Sequence, residues 1–380
     1  MRKKRKRIVS LLSIVLLALM TSACQPSWNV VVTDPSGTTT RITNQDVMFY
    51  INKSKEPTDV VPLGQLLYHG GYTLVESISL KTGEDEPDVF FWDEIATSAI
   101  ISESGEIKIG NEWFAPDQII IKPSNLTAEI DFSILDIAPT VAAVLGLPEL
   151  PNSAGKVRTN DTGEWDHAVM ILLDGLQFAK LETAINNGKL PFFEELDTPK
   201  KGMTVYPPIT IAASAAVLTG TPPQINGVYG YGYRSTTQTT LFDLAANAGK
   251  SVAAIEGASL PFNLRNAETT LSGDRDGDGF SDDNVLHNSL DIIQNEMPDL
   301  LYIHFHEIDD MGHNYGPDSP QYLAALQRVD EYLAKIFDAL PPDTFIAIFA
   351  DHGMHATNNG GKHGALTEKD LVIPILFLEK

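Results

Sequence analysis

Three apolar runs in this chain each lead into a carboxylate. Residues 168–173 precede Asp174-Gly175, residues 300–303 lead towards Asp309-Asp310-Met311-Gly312-His313, and residues 345–349 precede Ala350-Asp351-His352-Gly353. Continuous apolar runs of this length read as strands buried on both faces of a parallel sheet. Such sheets gather their ligands beyond the carboxyl ends of the strands. Residues as distant as Asp174 and Asp351 are therefore expected at one rim. Several Asp and His meet there, which is the donor set of a hydrolytic metal site.

The chain has 380 residues, enough for two domains or one large domain with an appendage. From about residue 133 onward, strand and helix patterns alternate. Helices are expected at 135–146, 238–248 and 320–340, and further strands at 251–255 and 371–378. That order predicts an α/β fold with a doubly wound, mostly parallel sheet. Residues 28–125 instead show short β-like runs separated by turns, which predicts a small β-rich domain. The expected division is 1–23 signal peptide, 24–27 tether, 28–125 small β-rich domain and 126–380 metallohydrolase domain.

The formal net charge is −23, although six of the first ten residues are basic. So acidic a chain lacks the basic surface that duplex nucleic acid requires, and no such binding is expected. The basic start, an apolar stretch of 13 residues at 8–20, and Thr21-Ser22-Ala23-Cys24 read as a signal peptide. Cys24, the only cysteine, falls at the cleavage point. This resembles a bacterial lipoprotein signal, although Thr21 stands where such signals usually carry Leu. The resemblance implies lipidation of Cys24 and an extracytoplasmic protein anchored to the bacterial cell membrane. An ordinary signal peptide with a chance Cys is the alternative. Either way no internal disulfide is available, and stability rests on the core and any metals.

Tyr206-Pro207-Pro208-Ile209-Thr210 introduces a run of small residues ending in Thr219-Gly220. A helix is expected to start near Thr210. A hydroxyl there meets free amides and the positive end of the helix dipole, which favours an alkoxide nucleophile and an incoming phosphate. The competing reading is a Thr that only caps backbone donors. Asp309 and His313, bent around Gly312, can converge on one cation. Asp351 and His352 can ligate one metal or bridge two. The glycines at 360 and 361 let His363 turn back towards them. His304 and His306 point the same way along a strand and read as structural or supporting groups.

In this order the motifs resemble the alkaline phosphatase superfamily, and within it the type I phosphodiesterase/nucleotide pyrophosphatase-like branch. The resemblance covers roughly residues 165–380. It implies two zinc ions about 4 Å apart, one held by Asp174, Asp351 and His352 beside Thr210, the other by Asp309, His313 and His363. It implies hydrolysis of a small phosphorylated substrate through a phospho-threonine. Two departures stand out. The family's diesterases often carry an Asn on or just beyond the nucleophile helix; here Thr210 is followed by small residues, Ala213 and Ser214 among them. Further, 136–141 and 145–148 look like a segment that relatives carry near the C-terminus, which suggests a circularly permuted arrangement. A phosphomonoesterase or phosphonate hydrolase on the same site remains open, as does a non-catalytic, surface-anchored binding protein.

One acidic loop stands apart. Asp274, Asp276, Asp278 and Asp282, with Gly279 at position six, match a calcium loop, but Val285 stands where the closing Glu belongs. Calcium and a solvated acidic turn are the two readings. Tyr229, Tyr231, Tyr233 and Arg234 offer either a base-stacking, phosphate-gripping wall or simple packing.

Overall fold

The computed structural model describes residues 28–54, 58–130, 132–159, 165–277 and 279–380. Cys24 and the rest of the expected signal peptide and tether lie outside the described residues, as does Asp278. Contacts divide the chain into two compact units. One takes residues up to Gly71 together with Glu76–Lys122; the other takes Tyr72–Val75 and Pro123–Lys380.

The first unit is β-rich. Its five-stranded sheet runs Thr39–Thr43, Asn29–Thr33, Gln118–Pro123, Val75–Lys81, Asp88–Phe91, and a second sheet pairs four strands of three residues each between Val60 and Phe114. Two helices, Asn44–Lys53 and Leu63–His69, were not expected from the sequence. The first had a signal: Asp46 accepts the amide of Thr43 at 2.8 Å, closing the helix start through a Thr-x-x-Asp pattern. Trp92, Leu63, Leu67 and Ile78 fill the core of this unit.

The second unit is built on eight strands: β1 Phe132–Ser133, β2 His167–Leu173, β3 Lys200–Met203, β4 Val252–Glu256, β5 Glu268–Leu271, β6 Leu300–Phe305, β7 Thr344–Phe349 and β8 Val372–Glu379. Their order is β1-β3-β8-β7-β2-β6-β4-β5. All neighbours are parallel except the two pairs made by β8. The fold is therefore α/β with a mostly parallel sheet, as the apolar runs predict. Every residue of β4, β6 and β7 is buried. Side chains alternate between faces along a strand, so both faces are covered. In register, Leu173 of β2 lies beside Phe305 of β6, and Leu172 beside Phe349 of β7. The three carboxylate-bearing ends are thereby brought to one rim.

The 135–146 region forms a short 3-10 turn, Ile134–Asp136, then the helix Ile137–Val144. Asp136 fastens it: its carboxylate accepts the amides of Ser133 and Lys156 and the Nε–H of Arg158. This segment packs against the Thr210–Thr219 helix and β7, and the Phe132 ring lies 6.3 Å from Phe377 on β8.

Arg265 ties the loop after Tyr231 to the body of this unit. Its guanidinium bonds both carboxylate oxygens of Asp243 and the carbonyls of Thr236 and Gln238. Burial opposes ionisation of Asp243, but the Arg265 bond outweighs it and holds the carboxyl down at about 2. A carboxyl held below its unfolded value stabilises the fold above pH 4 and ceases to do so as pH falls towards 2. Asp243→Asn is therefore expected to cost about 2 kcal/mol at pH 7. That cost should shrink between pH 4 and pH 2, as read from paired urea melts. A cost independent of pH would contradict this role.

Candidate metal centre

Each site residue is positioned by the end of a strand or the start of a helix. Asp174 follows β2 directly, and Gly175 turns the chain there with a φ of +72°. A Cβ at Gly175 would lie 2.9 Å from the Cα of Asp309, so only glycine admits the approach of the two segments. Asp309 and His313 lie one turn apart on the helix Glu307–Tyr315. Their convergence comes from the i, i+4 spacing of a helix rather than from a bend at Gly312, which corrects the sequence reading. Gly312 has another task, since a Cβ there would meet the Met354 sulfur at 2.5 Å. Asp351 and His352 follow β7. His363 arrives from the hairpin of His355–Thr357 and Gly360–Lys362, whose Gly360 lies against the His313 carbonyl.

Three histidines are pinned in one tautomer. The Nδ1 of His352 faces the Gly353 carbonyl at 3.0 Å, that of His313 the Gly361 carbonyl at 3.1 Å, and that of His363 the Pro208 carbonyl at 3.1 Å. A carbonyl can only accept, so each Nδ1 carries the proton and donates it. Each ring, when neutral, then turns a bare Nε2 inward. His352 Nε2 lies 3.4 Å from Asp174 Oδ1 and 3.2 Å from Asp351 Oδ2. His313 Nε2 lies 3.2 Å from Asp309 Oδ2 and 3.2 Å from His363 Nε2.

Lone pairs facing lone pairs and carboxylates repel unless a cation lies between them. The carboxylates give the same indication. Asp174 Oδ1, Asp309 Oδ1 and Asp351 Oδ2 are buried without a hydrogen-bond partner. Buried polar atoms are ordinarily paired, and an orphan invites a missing ion. Asp351 Oδ1, by contrast, is taken by the amides of Gly175 and His352, which aims its other oxygen into the site. Donor atoms of Asp309, His313 and His363 cluster, as do those of Asp174, Asp309 and His352, so Asp309 stands between the two groups. The residues fit a pair of metal ions.

Titration follows the same crowding. Burial and the Asp174 charge push Asp351 up to about 7. Burial disfavours the Asp174 anion, yet hydrogen bonds from His304 and His306 hold it well below the usual range. The hydrogen bond to Asp309 draws His313 up to about 9, whereas burial and the His352 charge push His363 down to about 4. A proton on His313 supplies beside Asp309 the positive charge that a divalent ion would otherwise bring.

Thr210 opens the helix Thr210–Thr219. It is not the cap, a position held by Ile209, and its Oγ1 lies 3.2 Å from His352 Nε2. Ser214 donates to the Thr210 carbonyl and is spent on the helix. Tyr231 lines an open cleft of about 650 Å³ with Ile209, His313, Lys362 and His363. Arg234 is turned elsewhere, donating to the Leu260 carbonyl.

Three of the four expected calcium donors, Asp274, Asp276 and Asp282, lie among the described residues. Asp274 accepts the amides of Gly277 and Gly279, and Asp276 is exposed. Asp282 is buried and turned away, its two oxygens accepting the amides of His306 and Glu307 at 2.9 Å each. Asp282 therefore drops out of the loop's donor set. Among the described residues Asp274, Asp276 and Asp282 join no common cluster of ligand atoms. Sequence reasoning missed Glu256, buried at the end of β4 against His304 and His306.

Residues 168–372 match the type I phosphodiesterase/nucleotide pyrophosphatase family, and the chain belongs to it. It is similar to GPI ethanolamine phosphate transferase 3 of Eremothecium gossypii, 30% identical over 118 residues, which is 31% of this chain and 11% of that protein. It is also similar to ectonucleotide pyrophosphatase/phosphodiesterase family member 3 of Bos taurus, 38% identical over 73 residues, 18% of this chain and 8% of that one. The chain spans about a tenth of the length of these curated relatives. Among solved structures it resembles phosphonoacetate hydrolase of Sinorhizobium meliloti 1021, with a TM-score of 0.42 at 19% identity, covering 52% of this chain and 59% of that one.

Proposed function

We propose that this chain is an extracytoplasmic, zinc-dependent phosphoric ester hydrolase of diesterase type, acting through a phospho-threonine on Thr210. The observation that carries the reading is the convergence of three bare imidazole nitrogens and three orphaned carboxylate oxygens beside the Thr210 hydroxyl. Asp174, Asp351 and His352 would hold one zinc, and Asp309, His313 and His363 the other. When bound, the two ions lower the pKa of a coordinated hydroxyl or water and offset charge developing on phosphoryl oxygens.

Thr210 sits at the positive end of its helix, where the first amides have no intrahelical partner and face an incoming phosphate. Its Oγ attacks phosphorus in line and the ester oxygen leaves. Water then releases the phosphoryl group and restores the hydroxyl. Tyr231 stands at the mouth of this site and donates to a phosphoryl oxygen, the part the family's Asn often plays.

Metal analysis together with hydrolysis of an aryl phosphodiester and an aryl phosphomonoester tests this reading. Fewer than two zinc ions per chain, with neither ester turned over, would sink it and favour a binding protein. Preference for the monoester would move the chain to a phosphomonoesterase. A second reading comes from the relative named as a transferase: an alcohol replaces water as acceptor, and added ethanolamine or glycerol would then divert the product. Export rests on the N-terminal pattern around Cys24. Labelling with a fatty acid that is lost in Cys24→Ser supports it, and a chain found unlabelled in the cytosol removes it.

A further inference from the structure

Behind Asp174 lies a second constellation that the two-metal reading does not use. His304, on β6, and His306, at the start of the Glu307–Tyr315 helix, have ring centroids 3.7 Å apart and planes tilted by 31°. One carboxylate oxygen, Glu256 Oε2, faces both rings: His304 Nδ1 at 3.0 Å and His306 Nε2 at 3.3 Å. Glu256 is 1% exposed and His304 fully buried. The opposite nitrogens, His304 Nε2 and His306 Nδ1, face Asp174 Oδ2 at 3.2 and 3.6 Å.

A carboxylate can only accept, so Glu256 requires an N–H from each ring. Two neutral rings that give their protons to Glu256 then turn two lone pairs onto Asp174 Oδ2, a third electron-rich atom. Three donors so placed need positive charge between them. Two further protons would supply it, but only by placing two imidazolium cations with ring centroids 3.7 Å apart. One divalent ion supplies the same charge without that repulsion. The arrangement also has the form common around metal-bound histidine, whose second nitrogen donates to a carboxylate that fixes the tautomer.

We propose that Asp174 Oδ2, His304 Nε2 and His306 Nδ1 bind a third divalent cation, with Glu256 orienting both imidazoles. Two imidazoles and a carboxylate are donors suited to zinc or a neighbouring first-row ion. His306 is partly exposed, with 21% of its side chain open to solvent, which leaves a way in and room for a further ligand. Asp174 is the link to the proposed two-metal centre, which uses its other oxygen; His304, His306 and Glu256 belong to the third site alone. Asp174 thus becomes a bridge whose orientation is fixed from both sides.

The test is metal stoichiometry of the full chain, by elemental analysis and native mass spectrometry after zinc loading and dialysis. Three ions per wild-type chain and two in His306→Leu are expected. Glu256→Gln should weaken the most labile ion about 10- to 100-fold while the other two stay bound. Asp309→Ala is the control for the pair and should lose an ion that His306→Leu retains. Two ions in the wild type, or an unchanged count in His306→Leu, overturns the third site and leaves the two-metal centre standing. No ions in the wild type overturns both. If His306→Leu fails to fold, the wild-type count and the Glu256→Gln affinity decide.

Discussion

Thr210→Ala is expected to lower turnover of an aryl phosphodiester by roughly 10⁴- to 10⁶-fold, the scale of removing a hydrolase nucleophile. Metal content should not change. The hydroxyl makes no cap bond that the helix would miss, and the helix still begins after Ile209. The residue is 8% exposed, within reach of a substrate entering the cleft, and alanine differs from it by a methyl and a hydroxyl. Metal analysis beside steady-state kinetics separates the two effects. Turnover retained within tenfold would remove Thr210 from the chemistry, whereas turnover and metal lost together would make it a structural support.

Asp309→Ala is expected to bind one ion fewer per chain and to lose at least about 10²- to 10³-fold in turnover, the cost of removing one electrostatic stabiliser. Asp309 is the residue shared by the two clusters of donor atoms. Its Oδ2 faces His313 and its Oδ1 is an orphan aimed between the groups. Removing it leaves His313 and His363 with bare nitrogens 3.2 Å apart and no carboxylate to balance an ion. The variant should also titrate differently, because His313 is drawn up to about 9 chiefly by its bond to Asp309. A wild-type metal count in Asp309→Ala would contradict the assignment of that half of the centre.

The sheet was legible because β2, β6 and β7 are buried on both faces and so are written as unbroken apolar runs. The rim was legible because each run leads into a carboxylate. A fourth run carried the same signature, the strand at 251–255 ending in Glu256-Gly257, but Glu256 went unread because no His follows it nearby. The partners of Glu256 come from β6 and the residue just beyond it, two strand positions further along the chain, and only the sheet brings them together. The helical setting of Asp309 and His313 was hidden by Gly312, which reads as a breaker and serves instead to admit Met354. Asp282 misled for a related reason. Its place in an acidic repeat suggests a loop ligand, but it opens the helix Asp282–Glu296 and spends both oxygens on the amides of His306 and Glu307. In the first unit the Asn44–Lys53 helix announces itself only through its Thr43–Asp46 start, because just two of its ten residues are buried and the apolar pattern is weak.

The account turns on covalent chemistry at one hydroxyl beside a pair of metal ions. The most direct measurement is rapid-quench peptide mapping during turnover of an aryl phosphodiester by the zinc-loaded chain. The transferred phosphoryl group should appear on the peptide carrying Thr210, form within one turnover, and be absent from Thr210→Ala. An active enzyme with no adduct on Thr210 at any time, or with an adduct on another residue, would contradict the account.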